Sequence, residues 1–209
     1  MNRQTDLFQN PKEHKSFDLS GFGRVNYYSS FFDEKESDRY LKNLSDKITW
    51  RQDKIKIIGK EINLPRLTAW YGEKGFNYTY SGIKMNPLPW NDDLLKIKDL
   101  IENIAKVSFS SVLLNLYRTG NDSVSWHSDD EKELDKDSPI ASVSFGAIRD
   151  FQLKHKQDNT LKRIDIPLAH GSLLLMQPPT QEYWLHQLPK RKKVTDLRIN
   201  LTFRVITKV

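Results

Sequence analysis

An α+β fold closing in a β-sandwich or jelly roll is predicted by three features of the sequence. Two early segments carry apolar residues at helical spacing, short apolar runs of strand length follow Val107, and no Pro- or Gly-rich linker separates the two parts. At 209 residues the chain can bury one substantial core, so a single domain is expected at 19–209, after a polar tail at 1–18 expected to be disordered. Residues 19–110 are expected to hold the helices and 111–206 the β-rich core.

The first helix is predicted over "DEKESDRYLKNLSDKI", where Tyr40, Leu41, Leu44 and Ile48 fall on one face. The second begins at Asn91, a good N-cap, and places Leu94, Leu95, Ile97, Leu100, Ile101 and Ile104 on its apolar side. Between them, "KIKIIGKEI" and "NYTYSGIKM" read as short strands joined by turns. The strands of the second part are "SVLLNLYR", "PIASVSFG", "DFQLKHK", "RIDIPL", "GSLLLMQ" and "RINLTFRVI". The last alternates Ile199, Leu201, Phe203 and Val205 with Arg198, Asn200, Thr202 and Arg204, and by itself leaves open whether the polar side faces water or an interior.

Composition narrows the chemistry. Zero cysteines exclude disulfides, thiol nucleophiles and thiolate zinc sites, so a transition metal would need His, Asp or Glu. The N-terminal segment has no apolar h-region, and no 18-residue apolar run occurs, so neither a signal peptide nor a membrane span is expected. A net charge of +6 and 11% aromatic content suit an anionic partner offering bases to stack on. The basic clusters Lys154-His155-Lys156 and Lys190-Arg191-Lys192-Lys193 read either as phosphate contacts or as solvated loops.

"SWHSDDE" puts His127 and Asp129 two residues apart, on one side of an extended chain. Such a pair is uninformative until His186 in "YWLHQL" and the two arginines of the last strand join it. Two imidazoles and a carboxylate, with other positions open, make the facial triad of non-haem Fe(II) oxygenases, which commonly take 2-oxoglutarate as electron donor. Arg198 and Arg204 lie roughly 20 Å apart along a strand, and inward-leaning side chains leave a gap of about 7 Å, the length of a five-carbon diacid. Burying two carboxylates without cations is very costly, which favours the inward reading of both arginines. In "LLNLYRTG", Asn115 and Tyr117 form a second polar side alternating with Leu114 and Leu116.

The segments "PRLTAWYG", "YTYSG", "NLY", "WHSDDE", "SPIASVSFGA", "RDFQLKHK", "AHGSLLLM" and "RINLTFR" together resemble the AlkB family of Fe(II)- and 2-oxoglutarate-dependent dioxygenases, in the branch of the animal DNA-repair homologues. The resemblance implies a double-stranded β-helix (jelly-roll) core with N-terminal helices and a nucleotide-recognition lid within 19–110. It implies that His127, Asp129 and His186 hold iron. It further implies that Asn115, Tyr117, Arg198, Asn200, Thr202 and Arg204 hold 2-oxoglutarate, Arg198 at the distal carboxylate and Arg204 nearer the iron. The activity implied is O2-dependent oxidation of an N-methyl group on a base in DNA, the methyl leaving as formaldehyde while 2-oxoglutarate becomes succinate and CO2. His14, His155 and His170 are left with structural or surface roles.

By the same resemblance Tyr80 stacks on a flipped base opposite His127, with Tyr78 and Ser81 beside it, and Arg66 contacts phosphate or holds the lid. Asp130 and Glu131, next to a metal ligand, favour cationic lesions such as 1-methyladenine and 3-methylcytosine. Ile57, Ile58, Gly59 and Lys60 stand where duplex-repair members carry an apolar finger, though Ile cannot stack as an aromatic finger would. With "KRKK" to grip the opposite strand, double-stranded DNA is expected over RNA. "QTDLF", Gln4 to Phe8, resembles a sliding-clamp docking peptide. The protein is expected to act as a monomer, cytoplasmic and nucleoid-associated in a bacterium or nuclear in a eukaryote. The rivals are RNA demethylation by the same chemistry and a catalytically silent nucleic-acid-binding module.

Overall fold

The computed structural model describes residues 14–57, 59–73, 78–80, 83–85 and 87–207. In chain order these form β1 (His14–Asp18), β2 (Arg24–Tyr28), α1 (Glu34–Lys47), β3 (Lys54–Ile57), β4 (Lys60–Asn63), β5 (Leu67–Gly72), β6 (Tyr78–Tyr80), β7 (Ile83–Met85), α2 (Asp92–Ala105) and β8 (Ser111–Tyr117). There follow β9 (Val124–His127), β10 (Ile140–Gly146), β11 (Arg149–His155), β12 (Ile164–Leu168), β13 (Ser172–Gln177), α3 (Thr180–Tyr183), β14 (Trp184–Leu188) and β15 (Arg198–Arg204).

Both long helices begin where side-chain chemistry can satisfy the first amides. Asp33 accepts from Glu36 N at 2.7 Å in a capping box, and Asn91 accepts from Leu94 N at 2.9 Å. Tyr40, Leu44, Ile97 and Ile101 of these helices pack on Val112, Leu114, Val143, Leu201 and Phe203. Leu95, expected on the buried face, is 39% exposed instead, because it lies at the stripe's edge where the helix turns away from the sheet.

A seven-stranded sheet, ordered β1-β2-β13-β10-β15-β8-β5, faces a four-stranded sheet ordered β12-β11-β14-β9, and the described pairings between these strands are antiparallel. This is a jelly-roll arrangement, as expected. β13 reads as a continuous apolar run because Leu173 and Leu175 meet the helices while Leu174 and Met176 meet the second core between the sheets. β15 divides its two sides differently. Ile199, Leu201 and Phe203 join the helix-side core, whereas Arg198, Asn200, Thr202 and Arg204 are buried toward the space between the sheets.

Two expectations about the N-terminal half are corrected. The tail predicted through residue 18 ends earlier, since His14–Asp18 pair with β2 along the sheet edge and the His14 ring stacks on Tyr28 at 4.6 Å. An edge strand held by backbone bonds and mostly exposed needs no apolar alternation, so its sequence looks like a tail. Likewise 19–110 is more than helices and lid, because β2 and β5 are integral strands of the large sheet. The clamp-like peptide Gln4 to Phe8 and the residues Ile58 and Ser81 lie outside the described residues. So do the side chains of Ile57, Tyr78 and Tyr80. No helix among the described residues is long and apolar enough to cross a membrane.

Candidate active site

The cleft between the sheets is lined by Asn115, Tyr117, His127, Asp129, His186, Arg198, Asn200, Thr202 and Arg204, which are all nine residues expected at the iron and 2-oxoglutarate sites. Register explains the meeting. His127 on β9 is directly opposite His186 on β14, so both imidazoles leave the same side and their centroids come within 4.2 Å. Asp129, two residues on, brings a carboxylate to them, and one ligand atom from each of the three falls within 4.8 Å of the others. On the opposite sheet, β8 and β15 pair Tyr117 with Arg198 and Asn115 with Asn200.

The electrostatics suit a cation. Burial opposes charge on Asp129, but the Arg204 guanidinium and the two imidazoles outweigh it and hold the carboxyl at about 2. Arg204 donates to Asp129 Oδ2 from Nη2 at 2.7 Å and from Nε at 3.2 Å. His186 is pushed down to about 3 by burial and by the neighbouring His127, so it presents a neutral ring. His127 Nδ1 lies 2.8 Å from the Ser125 carbonyl, which can only accept; the proton therefore sits on Nδ1 and the Nε2 lone pair faces Asp129 at 3.7 Å. Asp129 Oδ1, on the side of His127 Nε2, is buried without a hydrogen-bond partner, a state that ligation of an ion would relieve.

The other end suits an anion. Arg198 is 2% exposed, donates to Ser144 Oγ at 2.9 Å, stands 5.2 Å from the Tyr117 ring and has a buried, unpartnered Nε. Burial pulls its pKa down to about 10, so a buried cation remains that needs an acceptor. Asn200 is more fully engaged: it donates to Ser142 Oγ and the Val143 carbonyl at 2.8 and 2.9 Å and accepts from Thr202. Ser142 and Ser144 were not anticipated, although the alternation of "SVSFG" marks them as facing β15's polar side. Gln181 was also missed; its Oε1 accepts from Asp129 N at 3.0 Å and steadies the ligand loop.

The expected substrate residues gather less completely. Asp130 is exposed, accepts from Ser128 Oγ and pairs with Lys156 at 3.2 Å, while Glu131 is half-buried beside it. Arg66, expected at phosphate or lid, is only 4% exposed and donates from Nε to Asn115 Oδ1 at 2.7 Å. A side chain so enclosed cannot track a phosphate backbone, which leaves the other half of the expectation, a hold on the lid. His155 and His170 keep structural roles, accepting at Nδ1 from the amides of Asp158 and Gly146.

A model described as the 2OG-Fe(II) oxygenase superfamily matches residues 24–204. The chain belongs to this superfamily. Its relatives include the DNA oxidative demethylase ALKBH2 of Mus musculus, 42% identical over 188 residues covering 86% of this chain and 79% of that protein. The alpha-ketoglutarate-dependent dioxygenase alkB homolog 3 of Bos taurus is 44% identical, covering 91% of this chain and 69% of that one. A solved structure of OsALKBH1 superposes with a TM-score of 0.58 at 14% identity, over 87% of this chain and 96% of the other, which is a likeness of fold. This superfamily member is therefore an AlkB-type dioxygenase that works with Fe(II), 2-oxoglutarate and O2, and the clustered His127, Asp129 and His186 fit that donor set.

Proposed function

We propose that the protein oxidatively demethylates 1-methyladenine and 3-methylcytosine in DNA, releasing formaldehyde while 2-oxoglutarate is converted to succinate and CO2. The observation that carries this reading is the facing His127–His186 pair with Asp129, at one end of a cleft whose other end holds the buried Arg198, in a chain 42% identical to a DNA oxidative demethylase.

In this reading His127, Asp129 and His186 hold Fe(II), which when bound supplies the oxidising chemistry. Each protein group has a definable task. The Ser125 carbonyl fixes the His127 tautomer, Arg204 keeps Asp129 ionised, and Arg198 offers its unpartnered Nε to the distal carboxylate of 2-oxoglutarate. The His127 side chain is 29% exposed, so the cleft mouth is open on that side to a base taken out of its stack. Tyr80, Tyr78 and Ser81 are assigned to that base, and Asp130 and Glu131 to its positive charge.

A preference for duplex is supported by the β3–β4 hairpin. Its two strands pair only with each other, and every residue of Lys60–Asn63 is exposed, as a projecting finger would be. Ile57, Ile58 and Gly59 then enter the vacated base position, and the 190–193 loop holds phosphate. Action as a monomer at nucleoid or nuclear DNA, and clamp docking through Gln4 to Phe8, rest on the sequence alone; unchanged clamp affinity in a Leu7→Ala, Phe8→Ala protein would remove the docking.

The test incubates the protein with Fe(II), 2-oxoglutarate, ascorbate and matched single- and double-stranded oligonucleotides bearing one 1-methyladenine, and weighs the products. Loss of one methyl mass is expected, faster on duplex. Intact lesions with iron demonstrably bound would overturn the proposal.

A further inference from the structure

Arg66 has no place in the iron or 2-oxoglutarate constellation, yet it is buried beside it. It lies in the corner between β4 and β5, three residues after the hairpin ends and immediately before β5 begins. That corner is tied down by its backbone: Arg66 N donates to the Leu64 carbonyl at 2.8 Å, Gln52 Nε2 donates to the Leu64 and Arg66 carbonyls at 2.7 and 3.2 Å, and Ser123 N donates to the Pro65 carbonyl at 3.0 Å. The side chain is thus delivered to β8 by a fixed backbone, where Nε–H meets Asn115 Oδ1 at 2.7 Å.

The chemistry of the two groups makes this bond directional. A guanidinium has only donors, so it must bind the oxygen of the Asn115 amide and never its nitrogen. The two Nδ2 hydrogens are then the polar capacity Asn115 retains, in a cleft that also contains Tyr117, Arg198 and Thr202. Turned the other way, the amide would set an oxygen against the anion. Since an amide's two orientations have nearly the same shape, packing alone cannot choose between them.

We propose that Arg66 is a positioning residue for 2-oxoglutarate, holding the Asn115 amide so that its N–H donors serve the co-substrate. The inference rests on the reading of the cleft as the 2-oxoglutarate site. It also gives the recognition hairpin a short mechanical link to that site, since only Leu64 and Pro65 separate β4 from Arg66.

The test measures 2-oxoglutarate binding by calorimetry to the anaerobic Fe(II)-loaded protein, and KM for 2-oxoglutarate and for a methylated oligonucleotide separately, in wild type, Arg66→Met, Arg66→Lys and Asn115→Asp. In Arg66→Met the Kd and KM for 2-oxoglutarate should rise about tenfold, the size of one hydrogen bond from a charged group, with iron affinity and oligonucleotide KM little changed. Arg66→Lys, which retains a donor and the folded corner, should lie between. Asn115→Asp, which keeps an acceptor for Arg66 but loses the donors, should be at least as impaired as Arg66→Met, and the double variant Arg66→Met, Asn115→Asp no worse than Asn115→Asp alone. A rise confined to oligonucleotide KM, or losses that add in the double variant, would overturn the inference. If both Arg66 variants bind 2-oxoglutarate as wild type does, the inference alone falls; if wild type fails to bind it, the reading of the cleft falls as well.

Discussion

The jelly-roll interior and the β3–β4 hairpin put side chains to work in opposite ways. In the interior each functional group is held by at least one other element: Arg204 on β15 grips Asp129 after β9, Ser144 on β10 steadies Arg198 on β15, and Gln181 in α3 binds the Asp129 amide. The hairpin pairs only with itself, and Lys60–Asn63 are all exposed. A site that must hold a small dianion and an ion to fractions of an ångström needs the first arrangement. A surface proposed to enter a duplex needs the second, because it must leave water for DNA without unfolding anything behind it. Mutations should therefore cost stability and chemistry together in the interior, and chemistry alone in the hairpin.

The largest expected effect follows from breaking the interior pair. Asp129→Ala removes the carboxylate that Arg204 holds at 2.7 Å, at positions only 4% exposed on both sides. Leaving that cation buried should cost about 3–5 kcal/mol, read from the shift of a denaturation midpoint, and iron titration should show binding lost with it. An unshifted midpoint would contradict the coupling of stability and chemistry claimed for the interior.

A pH scan of the metal-free protein probes the same region more gently. With His186 held at about 3 in the fold against an ordinary 6.5, the unfolded chain binds a proton that the folded chain refuses over that interval. Stability is therefore full above about 6.5 and falls as pH drops toward about 3, with a slope up to about 1.4 kcal/mol per pH unit from this group. Asp129, held at about 2 against 3.8, adds a second loss lower down, as pH falls from about 3.8 toward 2. Urea unfolding at several pH values measures the slope, and His186→Gln should flatten its upper part.

The same contrast governs what could be read from sequence. Arg198 and Arg204 are legible because polar groups recur on one side of a strand that burial would otherwise make apolar, and His127, Asp129 and His186 because two imidazoles and a carboxylate form a metal-binding set. Ambiguity in β15 dissolved once three metal-binding side chains were found to need a diacid beside them. What stayed hidden had no such pattern. β1 is an exposed edge strand with no alternation to see, and β9 and β14 are short strands in which the functional residues themselves occupy the inward positions. Arg66 looked like a surface contact because an arginine after Pro65 carries no mark of burial; its partner Asn115 lies 49 residues away, and only the pairing of β5 with β8 brings them together.

At the hairpin the expected effect is smaller and selective. Ile58→Ala, between β3 and β4, should lower demethylation of duplex about tenfold and of single strands little, while the melting midpoint moves within about 0.5 kcal/mol, since none of the described hairpin side chains belongs to either core. Equal losses on both substrates would sink the wedge, and a large loss of stability would show that the hairpin shares the interior's role.

The smallest effect separates two kinds of basic residue in the 190–193 loop. Arg191 donates to Asp150 Oδ2 from Nε and Nη2 at 2.9 and 2.6 Å, its backbone N donates to the Gly120 carbonyl and its carbonyl accepts from Val194 N, so its charge is spent on holding the loop. Lys192 and Lys193 are exposed, and in the proposed function they are the loop's phosphate contacts. Each phosphate contact contributes a slope of about −0.9 in log K against log salt concentration. Lys192→Ala with Lys193→Ala should therefore flatten that slope by nearly two on duplex DNA, whereas Arg191→Ala should flatten it by well under one and instead loosen the loop, seen as faster hydrogen exchange at Gly120 and Val194. Equal slopes for the two proteins would mean that Asp150 releases Arg191 to the DNA, and that this loop behaves like the hairpin, as a surface spent on its partner, and not like the interior it is anchored to.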